Sequence, residues 1–156
     1  MQIDHHYAVS VVWDGNRGTG TSGYRDYGRQ NTVRAEGREA IAGSADKPFR
    51  GDTDRWNPEQ MLLAALAQCH LLSYLHVAVK NGVVVTDYSD DAVGRMVQDG
   101  DGGRFASATL RPRVTVADAS MIELAQSLHG EAARLCFIAN SVAFPVAHEP
   151  ETVAAG

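Results

Sequence analysis

Two cysteines, Cys69 and Cys136, are the residues of this sequence best suited to covalent chemistry. A thiolate is a strong nucleophile, and two neighbouring thiols can cycle between the dithiol and the disulfide. Two cysteines are too few for a disulfide scaffold, and these two do not have the spacing of a zinc-binding pair. Because free cysteine is also among the most buried residue types, the pair is either redox-active or part of the core.

A reactive Cys69 would need a positive charge from another part of the chain. It lies well inside a predicted helix, where the helix dipole does little to favour a thiolate. The nearest carboxylate in sequence that could orient such a cation is Glu59, but in a continuous helix the two Cα atoms are about 15 Å apart. A shared arginine, or a carboxylate from a second chain, would have to bridge that gap. The candidate arginines are Arg17, Arg50 and Arg55.

The elements that must position these residues include two predicted helices. Asn57-Pro58-Glu59 is a helix start signal, and apolar residues at helical spacing continue to about Lys80, before Asn81-Gly82. This helix is apolar over much of its circumference, which is typical of a central or interface helix. A shorter helix is predicted from Asp118 or Ser120 to about Arg134, with Cys136 at its end.

Strands are predicted on both sides of the long helix. They cover residues 5–13, short pieces between 23 and 42, 83–97, 104–116 and 142–148. A hairpin turn is predicted at residues 99–103, and the polar connection 43–56 is long enough to suggest a function. The order of strands, helix, hairpin, helix and strand indicates an α+β fold and not alternating βαβ units.

Length and composition favour one domain over residues 1–156, with a loose tail from about 149 to 156. The chain is 44% hydrophobic and 21% charged, so it can form a core. Its net charge of −5 argues against nucleic acid as a partner. No apolar run approaches the ~20 residues of a membrane span, and the N-terminus has no export signal. We therefore expect a cytoplasmic protein.

Three segments resemble those of the OsmC/Ohr family, the osmotically inducible and organic hydroperoxide resistance proteins. Residues 57–69, NPEQMLLAALAQC, resemble the block that carries the family's first cysteine. Residues 136–141, CFIANS, resemble the second cysteine block, and residues 17–21 resemble the turn that carries the family's arginine. The resemblance covers nearly the whole chain, in the same order and at similar spacing.

The resemblance implies a thiol-dependent peroxidase that reduces organic hydroperoxides to alcohols. It implies an OsmC-like fold, with antiparallel sheets around long central helices, in an intertwined homodimer with sites at the subunit interface. Cys69 corresponds to the peroxidatic thiolate and Cys136 to the resolving thiol. Arg17 corresponds to the arginine that stabilises the thiolate, with Arg50 or Arg55 as alternatives, and Glu59 to the carboxylate that holds it.

The implied reaction needs no metal, flavin or other cofactor, because the thiol itself reduces the peroxide. The partners are an organic hydroperoxide and a dithiol reductant, either of lipoyl type or a low-molecular-weight thiol. Four apolar residues are candidates for substrate binding, although each also fits plain core packing. They are Met61, Leu62, Leu66 and Phe137.

Two other functions fit the same residues. The protein is alternatively a non-catalytic binding protein for an apolar small molecule, with the cysteines as spectators, or a redox sensor whose disulfide alters a partner contact. Contact between the two sulfurs would favour the peroxidase and the sensor over the binding protein. We interpret His70 and His76 as structural, because His70 points about 100° away from Cys69 around the helix and His76 lies two turns beyond it.

Overall fold

The computed structural model describes all residues, 1–156, and the chain divides into two compact units, Met1–Met61 and Leu62–Gly156. The first unit contains one antiparallel sheet in the order β1-β2-β3. Its strands are β1 (Ser10–Trp13), β2 (Asn31–Arg34) and β3 (Ile41–Gly43). Strand β1 is shorter than the predicted strand 5–13, and all four of its residues are exposed.

The turn after β1 is shaped by Asn16, whose side-chain oxygen accepts hydrogen bonds from the N–H groups of Gly18 and Gly20 at 2.9 and 3.0 Å. Both glycines have positive φ, 114° and 59°, which a residue with a Cβ rarely adopts. Arg17 lies between Asn16 and Gly18 in this turn.

Helix α1 (Pro58–Lys80) begins and ends where the sequence predicts. The Asn57 side chain accepts a hydrogen bond from the N–H of Gln60 at 2.8 Å, and the Gln60 side chain accepts one from the N–H of Asn57 at 3.3 Å. This is a reciprocal capping box. At the other end Gly82 has a φ of 72°, and the N–H of Val83 bonds the carbonyl of Ala78. The helix is unbroken, so Glu59 and Cys69 lie about 15 Å apart along it.

The second unit contains most of α1, two short helices and two mixed sheets, in the orders β4-β7-β9 and β5-β6-β8. Strands β4 and β7, and β5 and β6, pair antiparallel, whereas β8 and β9 each join in parallel. The strands are β4 (Val85–Asp90), β5 (Val93–Asp99), β6 (Gly102–Leu110), β7 (Pro112–Val116), β8 (Val146–His148) and β9 (Glu151–Ala154), and the helices are α2 (Ile122–Ser127) and α3 (His129–Leu135).

Several predicted elements are divided or shifted. The predicted strands 83–97 and 104–116 each break near the middle, and their halves enter different sheets. The predicted second helix is a 3-10 turn followed by α2 and α3, with Leu128 between the two helices. The prediction of a loose tail is wrong, because β9 pairs with β7 from Glu151 to Ala154 and so satisfies its backbone groups in a sheet.

Helix α1 also corrects the expectation about membrane spans. The helix has 23 residues, and its most apolar 18-residue stretch has a mean hydropathy of 1.6, so by length and composition alone it is apolar enough to cross a membrane. The core helix of a water-soluble protein passes the same test. One face of α1 packs in this way: Tyr74, Val77 and Ala78 are buried against β7 and the two short helices.

Four aromatic rings, here called the ring column, pack together in the second unit, and the ring centres of Tyr74 and His70 are 6.5 Å apart. Tyr74 stacks on His129 with ring centres 4.2 Å apart, and His129 stacks on His70 at 5.4 Å. The His148 ring centre lies 4.5 Å from that of His70. His70 and His129 are also joined by a hydrogen bond of 3.1 Å between Nε2 and Nδ1. The column therefore links α1, α3 and β8.

Both central histidines are neutral at physiological pH. Burial lowers the pKa of His70 to about 3, together with smaller effects of the neighbouring His148 and His129, since a second positive charge would lie close by. Burial likewise lowers the pKa of His129 to about 4, and His148 adds to that effect. In the unfolded chain both rings titrate near their usual value of about 6.5.

Stability should therefore fall in mild acid. Above about pH 6.5 these rings are neutral in both the folded and the unfolded state. Below that pH the unfolded chain binds protons first, which favours unfolding. The free energy of unfolding therefore falls by about 1.4 kcal/mol per pH unit for each ring, until the pH reaches the pKa of that ring in the folded state. We expect the free energy of unfolding in urea to show this slope. His76→Gln, at an exposed position of α1, should keep the slope. A wild-type slope no steeper than that of a variant with phenylalanine at both 70 and 129 would contradict the assignment.

Candidate functional site

The structure brings Cys69 and Cys136 together. Cys69 lies on α1 and is partly exposed, whereas Cys136 follows the last residue of α3 and is 1% exposed. Their side chains are close enough for Cys69 to raise the pKa of the Cys136 thiol, and both are free thiols. An accessible thiol thus has a buried thiol as its immediate neighbour.

A tight turn after α3 holds Cys136 in place. The N–H of Ala139 points at the Cys136 sulfur at 3.4 Å, and the N–H of Asn140 bonds the Cys136 carbonyl at 3.0 Å. The Asn140 side chain also donates to the carbonyl of Arg134 at 3.0 Å, which ties the turn back to the helix. The motif CFIANS is therefore a local clamp on the second sulfur.

Burial, together with the smaller effect of the neighbouring Cys69, raises the pKa of the Cys136 thiol to about 11. The N–H groups of Ala139 and Ile138 act in the opposite direction, because they favour a thiolate, but their effect is smaller in sum. Cys136 is therefore a protonated thiol at neutral pH. It is suited to donate its S–H toward Cys69 and is not suited to act first as a nucleophile.

The candidate arginines all belong to the first unit. Two of them donate hydrogen bonds to backbone carbonyls within that unit, and the third ends a short turn. Arg17 donates to the carbonyl of Arg25 at 3.4 Å, and Arg55 donates to the carbonyl of Asn31 at 3.4 Å. Arg50 has a left-handed backbone, with a φ of 62°, and caps a short 3-10 turn.

Glu59 carries a buried oxygen, Oε2, that has no hydrogen-bond partner. The residue lies in the first turn of α1, where the helix dipole favours a negative charge. None of the ion pairs in the chain includes Glu59, and in this single chain Arg17 does not bond it. A buried carboxylate oxygen normally accepts a hydrogen bond, and Glu59 Oε2 has no donor in the single chain.

The four apolar candidates occupy different surroundings. Leu62 lines a groove of about 630 Å³ on the second unit. Leu66 is 1% exposed and packs with Ala108 and Leu110, so it is a core residue and not part of an open surface. Met61 is half-buried at the end of the first unit, and Phe137 is 72% exposed.

Sequence reasoning missed two arginines of that groove. Arg95 and Arg104 project from β5 and β6 beside the apolar walls formed by Phe105 and Phe144. The strand register, in which Val97 faces Arg104, brings them to the same groove. Alternation along the hairpin would have indicated a shared face, but the register shift between Arg95 and Met96 is not visible in the sequence.

No group of three or more histidine, cysteine, aspartate or glutamate side chains is arranged to hold a metal ion.

The family model of OsmC-like proteins matches residues 51–151, nearly two-thirds of the chain and both cysteine segments. The chain belongs to the OsmC-like family.

Solved OsmC-like structures share the fold over almost their whole length. An OsmC-like protein of unknown function from Vibrio cholerae is 28% identical, with a TM-score of 0.83, and the match covers 95% of this chain and 100% of that one. An organic hydroperoxide resistance protein from Elizabethkingia anophelis is 17% identical, with a TM-score of 0.68 and coverage of 98% and 100%. Another, from Legionella pneumophila, is 16% identical, with a TM-score of 0.69 and coverage of 99% and 100%. No curated protein sequence matches the chain.

The burial of Cys136 can be tested by its reactivity in the folded and in the unfolded protein. In Cys69→Ser, where Cys136 is the sole thiol, alkylation by iodoacetamide at neutral pH should be about a hundredfold or more slower in the folded protein than in the same variant unfolded in urea, because folding both covers the sulfur and raises its pKa. The measurement is the rate of mass increase by alkylation. Equal rates would show that Cys136 is exposed and ordinary.

Proposed function

We propose that this protein is a thiol-dependent peroxidase that reduces organic hydroperoxides to alcohols. The observation that carries the proposal is the contact between a partly exposed cysteine, Cys69, and a buried protonated cysteine, Cys136. Membership of the OsmC-like family supports it, since two solved relatives are described as organic hydroperoxide resistance proteins.

In the first step the Cys69 thiolate attacks the distal oxygen of the hydroperoxide. An S–O bond forms, the O–O bond breaks, and the leaving alkoxide takes up a proton to become an alcohol. Cys69 is then a sulfenic acid, oxidised by two electrons. Its partial exposure allows a substrate to reach it, which the burial of Cys136 does not.

In the second step the Cys136 sulfur attacks the sulfenic sulfur, and water leaves. Cys136 is protonated and lies beside Cys69, so its proton can pass to the departing oxygen. The product is an intramolecular disulfide, which prevents further oxidation of Cys69 to the sulfinic acid. A dithiol reductant, of lipoyl type or a low-molecular-weight thiol, then restores both thiols by exchange.

The thiolate requires a cation, and Arg17 is our first choice, with Arg50 and Arg55 as alternatives. The unpartnered buried oxygen of Glu59 supports this part of the proposal, because a guanidinium would satisfy it. An arginine in that position would stabilise both the thiolate and the charge that develops on the peroxide oxygens.

We further propose a homodimer with its sites at the subunit interface. Strand β1 presents Val11, Val12 and Trp13 to solvent in the single chain, and α1 presents Leu72 and Val79. Apolar exposure of this kind is typical of a protein–protein contact. We place the protein in the cytoplasm, where its thiols are returned to the reduced state.

Apolar residues would select the substrate. The groove lined by Leu62, Phe105 and Phe144 fits an organic group better than hydrogen peroxide. Among the other predicted contacts, Met61 and Phe137 keep some exposed surface, whereas Leu66 supports the site only from within the core.

Replacing Cys69 should abolish activity. We expect Cys69→Ser to lower the rate of cumene hydroperoxide consumption with dithiothreitol by about a thousandfold or more, because serine is not a comparable nucleophile. The matched control is Ser73→Ala, one turn further along α1. Turnover that survives in Cys69→Ser would rule out the proposed mechanism.

Replacing Cys136 should separate the two steps. In Cys136→Ser the first equivalent of hydroperoxide should be reduced, after which Cys69 should accumulate as sulfenic and then sulfinic acid, since no thiol remains to condense with it. Mass spectrometry of the intact protein would follow the gain of one and then two oxygen atoms. Steady cycling at the wild-type rate without overoxidation would exclude Cys136 from the reaction.

A binding protein is the second candidate, because the groove combines apolar walls with Arg95 and Arg104. Such a surface suits an apolar molecule that carries an anionic group. Tight binding of a fatty acid, together with a rate of Cys69 oxidation no faster than that of a free thiol, would favour this candidate over the peroxidase.

A further inference from the structure

The ring column formed by Tyr74, His129, His70 and His148 contacts the same two helices that carry the cysteines. His70 directly follows Cys69 on α1, and His129 is the first residue of α3, which ends just before Cys136. Helix α3 is therefore attached to α1 at both ends: by His129 against His70 and Tyr74, and by Cys136 against Cys69.

The contact between His70 and His129 is buried, although both rings are polar. His70 is 0% exposed and His129 is 4% exposed. Their rings share one hydrogen bond of 3.1 Å, and the outer nitrogens His70 Nδ1, His129 Nε2 and His148 Nε2 are buried without a partner. The contact tolerates neutral rings, because one can donate while the other accepts. It does not tolerate two charged rings, because both nitrogens of a charged ring are donors.

The groups around the column offer no counter-charge. Tyr74 lies beside both His129 and His70, and its hydroxyl donates a hydrogen bond to the carbonyl of Ala125 at 2.8 Å. Beyond it on β4 lie Tyr88 and Asp90, and the charge of Asp90 acts on Tyr88 and not on the histidines. Two ion pairs on or next to these elements lie at the surface: Glu131 with Arg134 on α3, and Glu149, next to His148, with Arg111.

We propose that this column is a clamp that positions the two cysteines for disulfide formation, holding Cys136 against Cys69 while its rings are neutral and releasing it when they are protonated. His70 and His129 are thus positioning residues that act through the α1–α3 contact. The biological use of the clamp rests on the proposed function, because the disulfide is the second step of that reaction. The clamp itself is a property of the thiol pair.

The test measures the Cys69–Cys136 disulfide at equilibrium with glutathione, in the absence of any peroxide. Glutathione disulfide accepts two electrons from the protein dithiol, giving the protein disulfide and two molecules of glutathione. Acid quenching, alkylation and mass spectrometry of the full chain then give the oxidised fraction at each glutathione ratio. The equilibrium constant reports how strongly the fold holds the two sulfurs together.

At about pH 7.5 we expect His70→Ala and His129→Ala to lower this constant about tenfold, because α3 loses its second attachment. His76→Gln is the matched control on an exposed face of α1 and should equal the wild type. A double variant, His70→Phe with His129→Phe, keeps stacked rings without protonatable nitrogens and should recover most of the loss. Alanine variants with native circular dichroism and a wild-type constant would overturn the proposal.

The pH dependence distinguishes a clamp from a merely structural pair. Between about pH 7.5 and pH 5 the wild-type constant should fall about fivefold relative to that of the double phenylalanine variant, which shares the same cysteines but cannot be protonated. Identical pH profiles would overturn the proposal, even if the alanine variants do not fold. A protein that fails to reduce hydroperoxide but shows this histidine dependence would refute the proposed function and leave the clamp intact.

Discussion

The contact between the Cys69 and Cys136 thiols is the interaction on which the candidate site of this protein depends. It joins the middle of a 23-residue helix to the residue that follows α3, and it leaves one sulfur partly accessible and the other buried. Burial raises the pKa of Cys136 and so assigns it the protonated role in the pair. The difference between two chemically identical side chains is produced by their surroundings alone.

Two local structures hold that contact. The turn of CFIANS aims the N–H of Ala139 at the Cys136 sulfur, and the histidine column holds the start of α3 against α1. The first is built from neighbours in sequence, and the second joins residues from three separate elements. Buried neutral histidines are costly in acid, so the second attachment weakens under conditions that leave the first unchanged.

The parts of the fold that the sequence predicts well are those governed by local interactions. Helix α1 is predicted at both ends, because Asn57 caps it through Gln60 and Gly82 ends it with a positive φ. The break of the predicted strand 83–97 is not predicted, because its halves are separated by the choice between two sheets. The sequence predicts a tail in place of strand β9, because this short segment becomes a strand only when β7 lies beside it.

By itself the sequence determined the two thiols, the capped helix that carries Cys69, the α+β order and the resemblance to the OsmC/Ohr family. These features follow from residue types that are close together in the sequence and from motifs that can be recognised in the sequence alone. The tertiary structure decided which thiol is buried, that Leu66 belongs to the core, and that His70 meets His129. The physical reason is that desolvation and side-chain contact depend on residues distant in sequence, whose approach no local pattern encodes.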